Sequence, residues 1–355
     1  MHRILRSRAI AALTSPHGVD RYLEQLNPMW AAHEVRARVV DVHREVDVPG
    51  HPPVATLTLQ PTSTWRGHRA GQHVQVGVEV DGARRTTRVF SVSSAESRPG
   101  DRFRITLRAN PGGVVSRYLV ERAQPGTMVH LSQAEGEFVL PDRVPEHVLL
   151  ISGGSGITPV MSMLRSLQRR AHRGRITFLH YAQSPEHQIF AAELDEIRRD
   201  GHGTDVHLLH PELGDPNLSP AYLERLVPGY RDVPTWACGP APMIEAVQAA
   251  YDGSDALRVE YFRPPRVSTG AGGGEVVFER SGRTAANAGT PLLEQAEAAG
   301  LSPESGCRMG ICLSCTTRKT EGTVRNLLTG VESSLPDEDI QICVDAPVGD
   351  CVVDL

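Results

Sequence analysis

Val148-Leu149-Leu150-Ile151-Ser152-Gly153-Gly154-Ser155-Gly156-Ile157-Thr158-Pro159 decides how the middle of this chain is built. A short apolar run reads as a buried strand (Val148–Ser152), the glycines permit a sharp turn, and proline stands where a helix begins. The same rhythm continues: helix Pro159–Arg170, strand Ile176–Tyr181, helix Phe190–Arg199, strand Val206–Leu209, helix Pro220–Leu226, strand Thr235–Cys238, helix Pro240–Tyr251 and strand Arg258–Phe262. Alternating βα units predict a doubly wound α/β domain with a parallel sheet over residues 143–263. A glycine-rich turn at a strand end can cradle a dinucleotide pyrophosphate, although this one is not G-x-G-x-x-G. A second strand-to-helix turn, Cys238-Gly239-Pro240, follows downstream.

Upstream, residues 34–142 read as an antiparallel β-barrel. Val35–Val46, Val54–Leu59, His73–Val80, Thr86–Ser93, Phe103–Arg108 and Met128–Leu131 alternate and are rich in β-branched residues, with Gly, Pro and Asp turns between them. A short helix over Ser116–Arg122 interrupts the strands. Before the barrel, residues 1–33 form a helical extension. Val19, Tyr22, Leu23 and Leu26 share one helical face, expected to pack on the barrel, and Asn27-Pro28 stops the helix.

Residues 264–274 read as a linker, stiff at Pro264-Pro265 and flexible at Gly272-Gly273-Gly274. Beyond it, residues 275–355 contain a hairpin (Glu275–Thr284), a helix (Pro291–Ala299), two or three short strands and four cysteines in the pattern C-x4-C-x2-C, 27 residues, C. Cys307, Cys312, Cys315 and Cys343 have the ligand spacing of a plant-type [2Fe–2S] cluster. Zinc is the alternative, but zinc sites usually pair two C-x2-C knuckles or add histidine, and no histidine lies downstream of the single C-x2-C. Gly306 and Gly310 free the backbone to turn N–H groups toward the sulfurs. Cys351 is expected to be a packed strand residue.

The 355-residue composition, 40% hydrophobic and 22% charged, is that of a globular multi-domain protein. No apolar run approaches a membrane span, and the run after the basic N-terminus is too short for a signal-peptide core, so a cytoplasmic protein is expected. Residues 275–355 hold 13 acidic and 6 basic side chains, a net −7 within a chain of net −5. An acidic module suits a basic docking partner, and equally a plain solvated surface. With no basic stripe and 5% aromatics, nucleic-acid binding is not expected.

Three motifs resemble the ferredoxin–NADP reductase superfamily. Arg88-Val89-Phe90-Ser91-Val92-Ser93-Ser94 is similar to its R-x-Y-S-x-x-S flavin motif, with Phe90 in place of tyrosine. Pro111-Gly112-Gly113-Val114-Val115-Ser116 matches its G-G-x-x-S element, and Gly153–Pro159 its G-G-x-G-I-T-P element. The resemblance implies FAD held by Arg88, Phe90, Ser91, Val92, Gly112, Gly113 and Ser116. It implies a nicotinamide dinucleotide held by Gly153, Gly154, Gly156, Thr158, Pro159 and Ser184, with Cys238, Gly239 and Pro240 beside the nicotinamide and Phe262 near the flavin. Ser91 and Cys238 are then the candidate catalytic residues. Gln183 stands where NADPH-dependent members often carry arginine, and no acid replaces it, which leaves a lean toward NADPH over NADH.

Residues 275–355 resemble the plant-type ferredoxin domain, through Ser305–Cys315 and Ile342-Cys343-Val344, which implies a β-grasp fold with the four cysteines as cluster ligands. The domain order is that of phthalate dioxygenase reductase-type proteins. Pro16–Leu23 and Asn27-Pro28-Met29-Trp30 further resemble the leader of actinobacterial reductases that supply membrane acyl-CoA (stearoyl-type) desaturases. These likenesses imply electron flow from NAD(P)H through FAD and the cluster to an external oxygenase or desaturase, with peripheral contact at a membrane-bound partner. The alternatives are another oxygenase system (ring-hydroxylating, alkane or P450) and a non-enzymatic redox sensor.

Overall fold

A computed structural model of the chain describes residues 14, 18–80, 85–201, 203–262, 273–305, 310 and 313–355. Most of the linker, together with Cys307 and Cys312, lies outside the described residues. The chain divides into two compact units, Met1–Glu260 and Tyr261–Leu355.

The first unit opens with the expected helix, α1 (Val19–Leu26). Only half of its apolar stripe packs: Val19 is buried and Leu23 half-buried, while Tyr22 is 44% and Leu26 76% exposed and the polar Asp20 is buried. Polar demands decide the orientation. The Asp20 carboxylate accepts from the backbone N–H groups of Ala32, His33 and Glu34 at 2.5, 2.9 and 3.3 Å, and these turn amides need partners once buried. Glu24 pairs at 2.8 Å with Arg36, whose side chain is sealed from solvent.

The barrel comprises β1 (Val35–Val46), β2 (Val54–Pro61), β3 (His73–Val78), β4 (Thr86–Ser91), β5 (Phe103–Arg108) and, after a short helix, β6 (Met128–Leu131). The sheet order is β4-β3-β6-β1-β2-β5, and an antiparallel bridge from Val92 to Ile105 joins its two ends. Leu57, Leu59, Val74, Val76 and Ile105 fill the interior, where Trp65 stacks on Phe103 at 4.7 Å. The helix, α2 (Val114–Arg117), starts two residues earlier than expected and continues as a π turn, Tyr118–Arg122.

The α/β part runs β7 (His147–Gly153), α3 (Ile157–Arg169), β8 (Arg175–Tyr181), α4 (Ala191–Asp200), β9 (Thr204–Leu209), α5 (Pro220–Leu226), β10 (Thr235–Gly239), α6 (Ala241–Ala250) and β11 (Leu257–Tyr261). The order is β11-β10-β7-β8-β9, with β10, β7, β8 and β9 parallel. The strand order reverses between β7 and β10, so a crevice opens beyond their carboxyl ends, where such sheets bind ligands.

The second unit contains β12 (Glu275–Phe278), β13 (Arg283–Ala286), α7 (Leu292–Ala298), β14 (Thr316–Asn326), β15 (Glu332–Ser333), β16 (Glu338–Gln341) and β17 (Asp345–Val353). β12 runs parallel to β17, which pairs antiparallel with β14. Two of these strands are longer than the sequence suggested. β14 is interrupted near Lys319 and Gly322 by register shifts that hide its alternation. Lys319, the chain's single lysine, is fully buried there and donates to the carbonyls of Gly322 and Leu335. Cys351 packs inside β17 at 1% exposure. No helix among the described residues is long and apolar enough to cross a membrane.

Candidate cofactor sites

The flavin-motif residues sit on and just after β4. In the β3–β4 ladder Arg88 stands opposite Val76, Phe90 opposite Val74 and Ser91 opposite His73. Phe90 is partly buried against the barrel core, and Ser91 is buried. Val92 differs from its neighbours: its side chain belongs to the core and its N–H is spent on the Gln72 carbonyl at 2.9 Å, leaving only its carbonyl for a ligand.

A cavity of about 190 Å³ opens beside α2, lined by Val80, Gly112, Gly113, Val114, Arg117 and Tyr118. Gly112 takes a left-handed φ of +75°, and a Cβ on Gly113 would fall 2.5 Å from the Ser116 hydroxyl. This backbone cradle fits a pyrophosphate, which side chains at those positions would exclude. Arg117, which the sequence motif did not single out, lies on the same rim and is ion-paired there with Glu121 at 3.3 Å.

At the carboxyl end of β7 the three glycines have different tasks. A Cβ on Gly156 would stand 2.3 Å from the Cys238 carbonyl oxygen, and one on Gly153 would stand 2.8 Å from the Met243 sulfur. Both therefore allow the β7 turn to close against the β10 turn. Gly154, at φ +53°, has no atom within 4 Å of where a Cβ would be, so it is the one open to a ligand. Thr158 Oγ1 donates to the Ser155 carbonyl at 3.1 Å, and Pro159 is buried in the first turn of α3. Gly239 packs on Met243 as α6 begins after Pro240. Ser184 is committed locally, bonding Glu186 at 2.5 Å and His187 Nδ1 at 2.8 Å. Phe262 follows β11 and is half-buried.

Cys238 is fully buried at the end of β10. Burial, and then the nearby Glu260 carboxyl, push its thiol well above the ordinary range. Sequence reasoning did not assign Glu260 a role. It lies in β11, 7% exposed, and burial pushes it up to about 8, so it is a neutral acid at pH 7. Its Oε2 has no hydrogen-bond partner, and its Oε1 lies 4.0 Å from His73 Nδ1. Because His73 is the cross-strand neighbour of Ser91, a buried polar line runs from the flavin motif to the thiol-bearing turn.

In the second unit Cys315 and Cys343 are each 3% exposed, on chain segments joined by an Ile342 N–H to Cys315 carbonyl bond of 3.4 Å. The Gly310 N–H donates to Cys343 Sγ at 3.2 Å. Two buried sulfurs, one already receiving a backbone N–H, fit cluster ligation. Gly310 takes φ +72°, and a Cβ there would press on Val344 and Leu328 at 3.0 and 3.2 Å. Gly310→Ala is therefore expected to accelerate loss of the visible cluster absorbance in air by about two- to tenfold, the effect of roughly 1 kcal/mol of backbone strain.

Comparison with known proteins agrees with this division. Residues 48–140 match the oxidoreductase FAD-binding domain, 150–249 the oxidoreductase NAD-binding domain, and 276–344 the 2Fe-2S iron-sulfur cluster binding domain. An NADPH oxidoreductase of Mycobacterium tuberculosis is 38% identical, over 98% of this chain and 92% of that protein. The phenoxybenzoate dioxygenase subunit beta of Ectopseudomonas oleovorans is 33% identical, over 77% and 83%. Among solved structures, phthalate dioxygenase reductase superposes with a TM-score of 0.60 at 23% identity, covering 90% of this chain and 97% of that one, a likeness of fold.

Proposed function

The chain belongs to the ferredoxin-reductase-type oxidoreductases that join FAD-binding, NAD-binding and [2Fe–2S] domains in one polypeptide, and from that premise we propose that it supplies single electrons to an oxygenase partner. The observation that carries this reading is the presence of all three binding modules, in order, on one chain. Bound FAD supplies the conversion of a two-electron hydride into two one-electron steps, which a [2Fe–2S] centre can accept.

The chain's own residues orient, exclude water and manage protons. Phe90 offers a ring face to the isoalloxazine, Ser91 a hydroxyl to its N5 edge and Arg88 a cation to the phosphates. Gly112, Gly113 and Ser116 hold the pyrophosphate of FAD. The open backbone at Gly154, with Thr158, receives the nucleotide pyrophosphate. Cys238 and Glu260 stay neutral at pH 7, so neither would place a negative charge where the nicotinamide would lie beside the flavin. Cys307, Cys312, Cys315 and Cys343 hold the irons.

A membrane fatty acyl-CoA desaturase is the proposed acceptor, supported by the leader resemblance at residues 16–30, and the likeness to the mycobacterial NADPH oxidoreductase supports NADPH as the electron source. A ring-hydroxylating oxygenase is the second reading, supported by the phenoxybenzoate dioxygenase relative. NADPH-driven electron transfer from the purified protein to each class of acceptor decides between them. Faster turnover with the dioxygenase oxygenase component than with the desaturase would reverse the choice.

Glu260 also sets a pH dependence. Its folded-state value of about 8 lies above its unfolded value, so the unfolded chain releases this proton first as pH rises. Stability should therefore fall between about pH 4.5 and 8, by an order of a few kcal/mol, and level off above. Glu260→Gln is expected to flatten that part of a denaturation-versus-pH profile.

A further inference from the structure

We infer that Arg165 is a positioning residue that locks the flavin-bearing strand to the nucleotide-binding loop, an inference that rests on the electron-transfer reading above. Arg165 lies on α3, the helix whose first turn follows the Gly153–Gly156 turn, and is 6% exposed. One guanidinium nitrogen donates to the carbonyl of Ser93, two residues beyond Ser91. The other two hold the Glu193 carboxylate of α4 in a fork, at 2.8 and 2.5 Å. The guanidinium also lies 4.4 Å from the ring centre of Phe190.

Phe190 is itself unusual, with a left-handed φ of +58° that a bulky residue rarely adopts without support. Its N–H reaches back to the barrel, donating to Glu45 Oε2 at 3.3 Å. From there a buried hydroxyl chain returns to the start. Thr56 donates to Glu45 Oε1 at 2.5 Å, Thr56 meets Thr106 at 2.7 Å, and Thr106 meets the Ser93 hydroxyl at 2.8 Å. The circuit thus leaves the end of the flavin strand, crosses α3 and the loop before α4, and re-enters the barrel at the same residue. Burial pushes Glu193 upward, but the Arg165 bonds and charge outweigh it and hold the carboxylate ionised.

Two further contacts follow the same helix face. Ser162 Oγ donates to the Ser94 carbonyl at 2.6 Å, and Ser166 Oγ accepts from the Glu96 N–H at 2.9 Å. α3 therefore grips the segment after Ser91 along about one turn, from Ser162 to Ser166, while its N-terminal end carries the nucleotide turn. One rigid rod fixes the separation of hydride donor and acceptor. A displacement of about 1 Å between reacting groups costs on the order of 10²-fold in rate. A residue that served only as a strut would affect melting and leave the rate alone.

The test uses the full-length holoprotein and Arg165→Lys, which keeps the charge beside Glu193 but cannot reach both Ser93 and the carboxylate fork. Glu193→Gln serves as the second variant, because it leaves the Ser93 bond and loosens only the fork. The expected result is a fall of about 10–100-fold in flavin reduction by saturating NADPH for Arg165→Lys, and a smaller fall for Glu193→Gln. The NADPH half-saturation and FAD retention should stay within about twofold of the original, the pattern of an interaction that acts on the reaction step alone. In the flavin-free protein, amide hydrogen exchange at Ser93–Glu96 should quicken in Arg165→Lys. Flavin reduction at the original rate in both variants, whether or not melting drops, would overturn the proposal while leaving the electron-transfer reading intact. That reading fails separately if NADPH does not reduce the flavin of the unaltered protein.

Discussion

Cys312→Ser is expected to leave NADPH-driven bleaching of the flavin intact and to cut electron delivery to a one-electron protein acceptor by about two orders of magnitude or more. The four proposed thiolate ligands all belong to the second unit, which has its own core of Val276, Phe278, Leu292, Ile342 and Val344. The flavin and nucleotide motifs at residues 88–94, 111–116, 153–159 and 238–240 lie in the first unit. Losing one ligand therefore removes the electron exit without disturbing the entry. Stopped-flow absorbance follows flavin bleaching, and reduction of a protein acceptor follows the output. A parallel loss of both in a folded protein would show that the order of carriers is wrong.

Gly156→Ala should have a comparably large effect on the entry side. The added Cβ would meet backbone, the Cys238 carbonyl oxygen at 2.3 Å and its carbon at 2.5 Å, and neither can swing aside. Either the nucleotide turn retreats or the Cys238-Gly239 turn shifts, and both relocate the nicotinamide platform. Flavin reduction at subsaturating NADPH is expected to fall about 10²-fold, with a loss of about 1–3 kcal/mol in stability. Gly201→Ala, just past the carboxyl end of α4 and outside the nucleotide turn, is the control: its Cβ meets no atom within 4 Å, and the cost is confined to about 1 kcal/mol of left-handed strain. A defect in flavin reduction as large in Gly201→Ala as in Gly156→Ala would show that closure of the nucleotide turn against Cys238 is not what the substitution disturbs.

The features legible in the sequence are those written in local order. Apolar runs punctuated by glycine and proline gave the βα units within one or two residues. Alternation gave all six barrel strands their starts and stops within two residues, and spacing alone proposed Cys343 as the fourth ligand. What stayed hidden depends on pairs distant along the chain. Glu260 meets His73, and Arg165 meets Ser93, only because the sheet edge and α3 bring them together. The α1 stripe held at Val19 and Leu23 but not at Tyr22 and Leu26, for a different reason: the buried Asp20 carboxylate serves three turn amides, and that requirement outweighed the burial of Leu26. Val92, which the resemblance places among the flavin residues, follows Phe90 by two positions and shares its side of the strand, and its side chain joins the barrel core on which Phe90 packs.

The most direct test is an anaerobic titration of the purified full-length protein with NADPH, followed by visible absorbance and electron paramagnetic resonance. Flavin and cluster should both be reduced, and about one and a half equivalents should suffice, because each hydride carries two electrons and the two centres together take three. A flavin that bleaches beside a cluster that stays oxidised, or a protein without any [2Fe–2S] signal, would contradict the account.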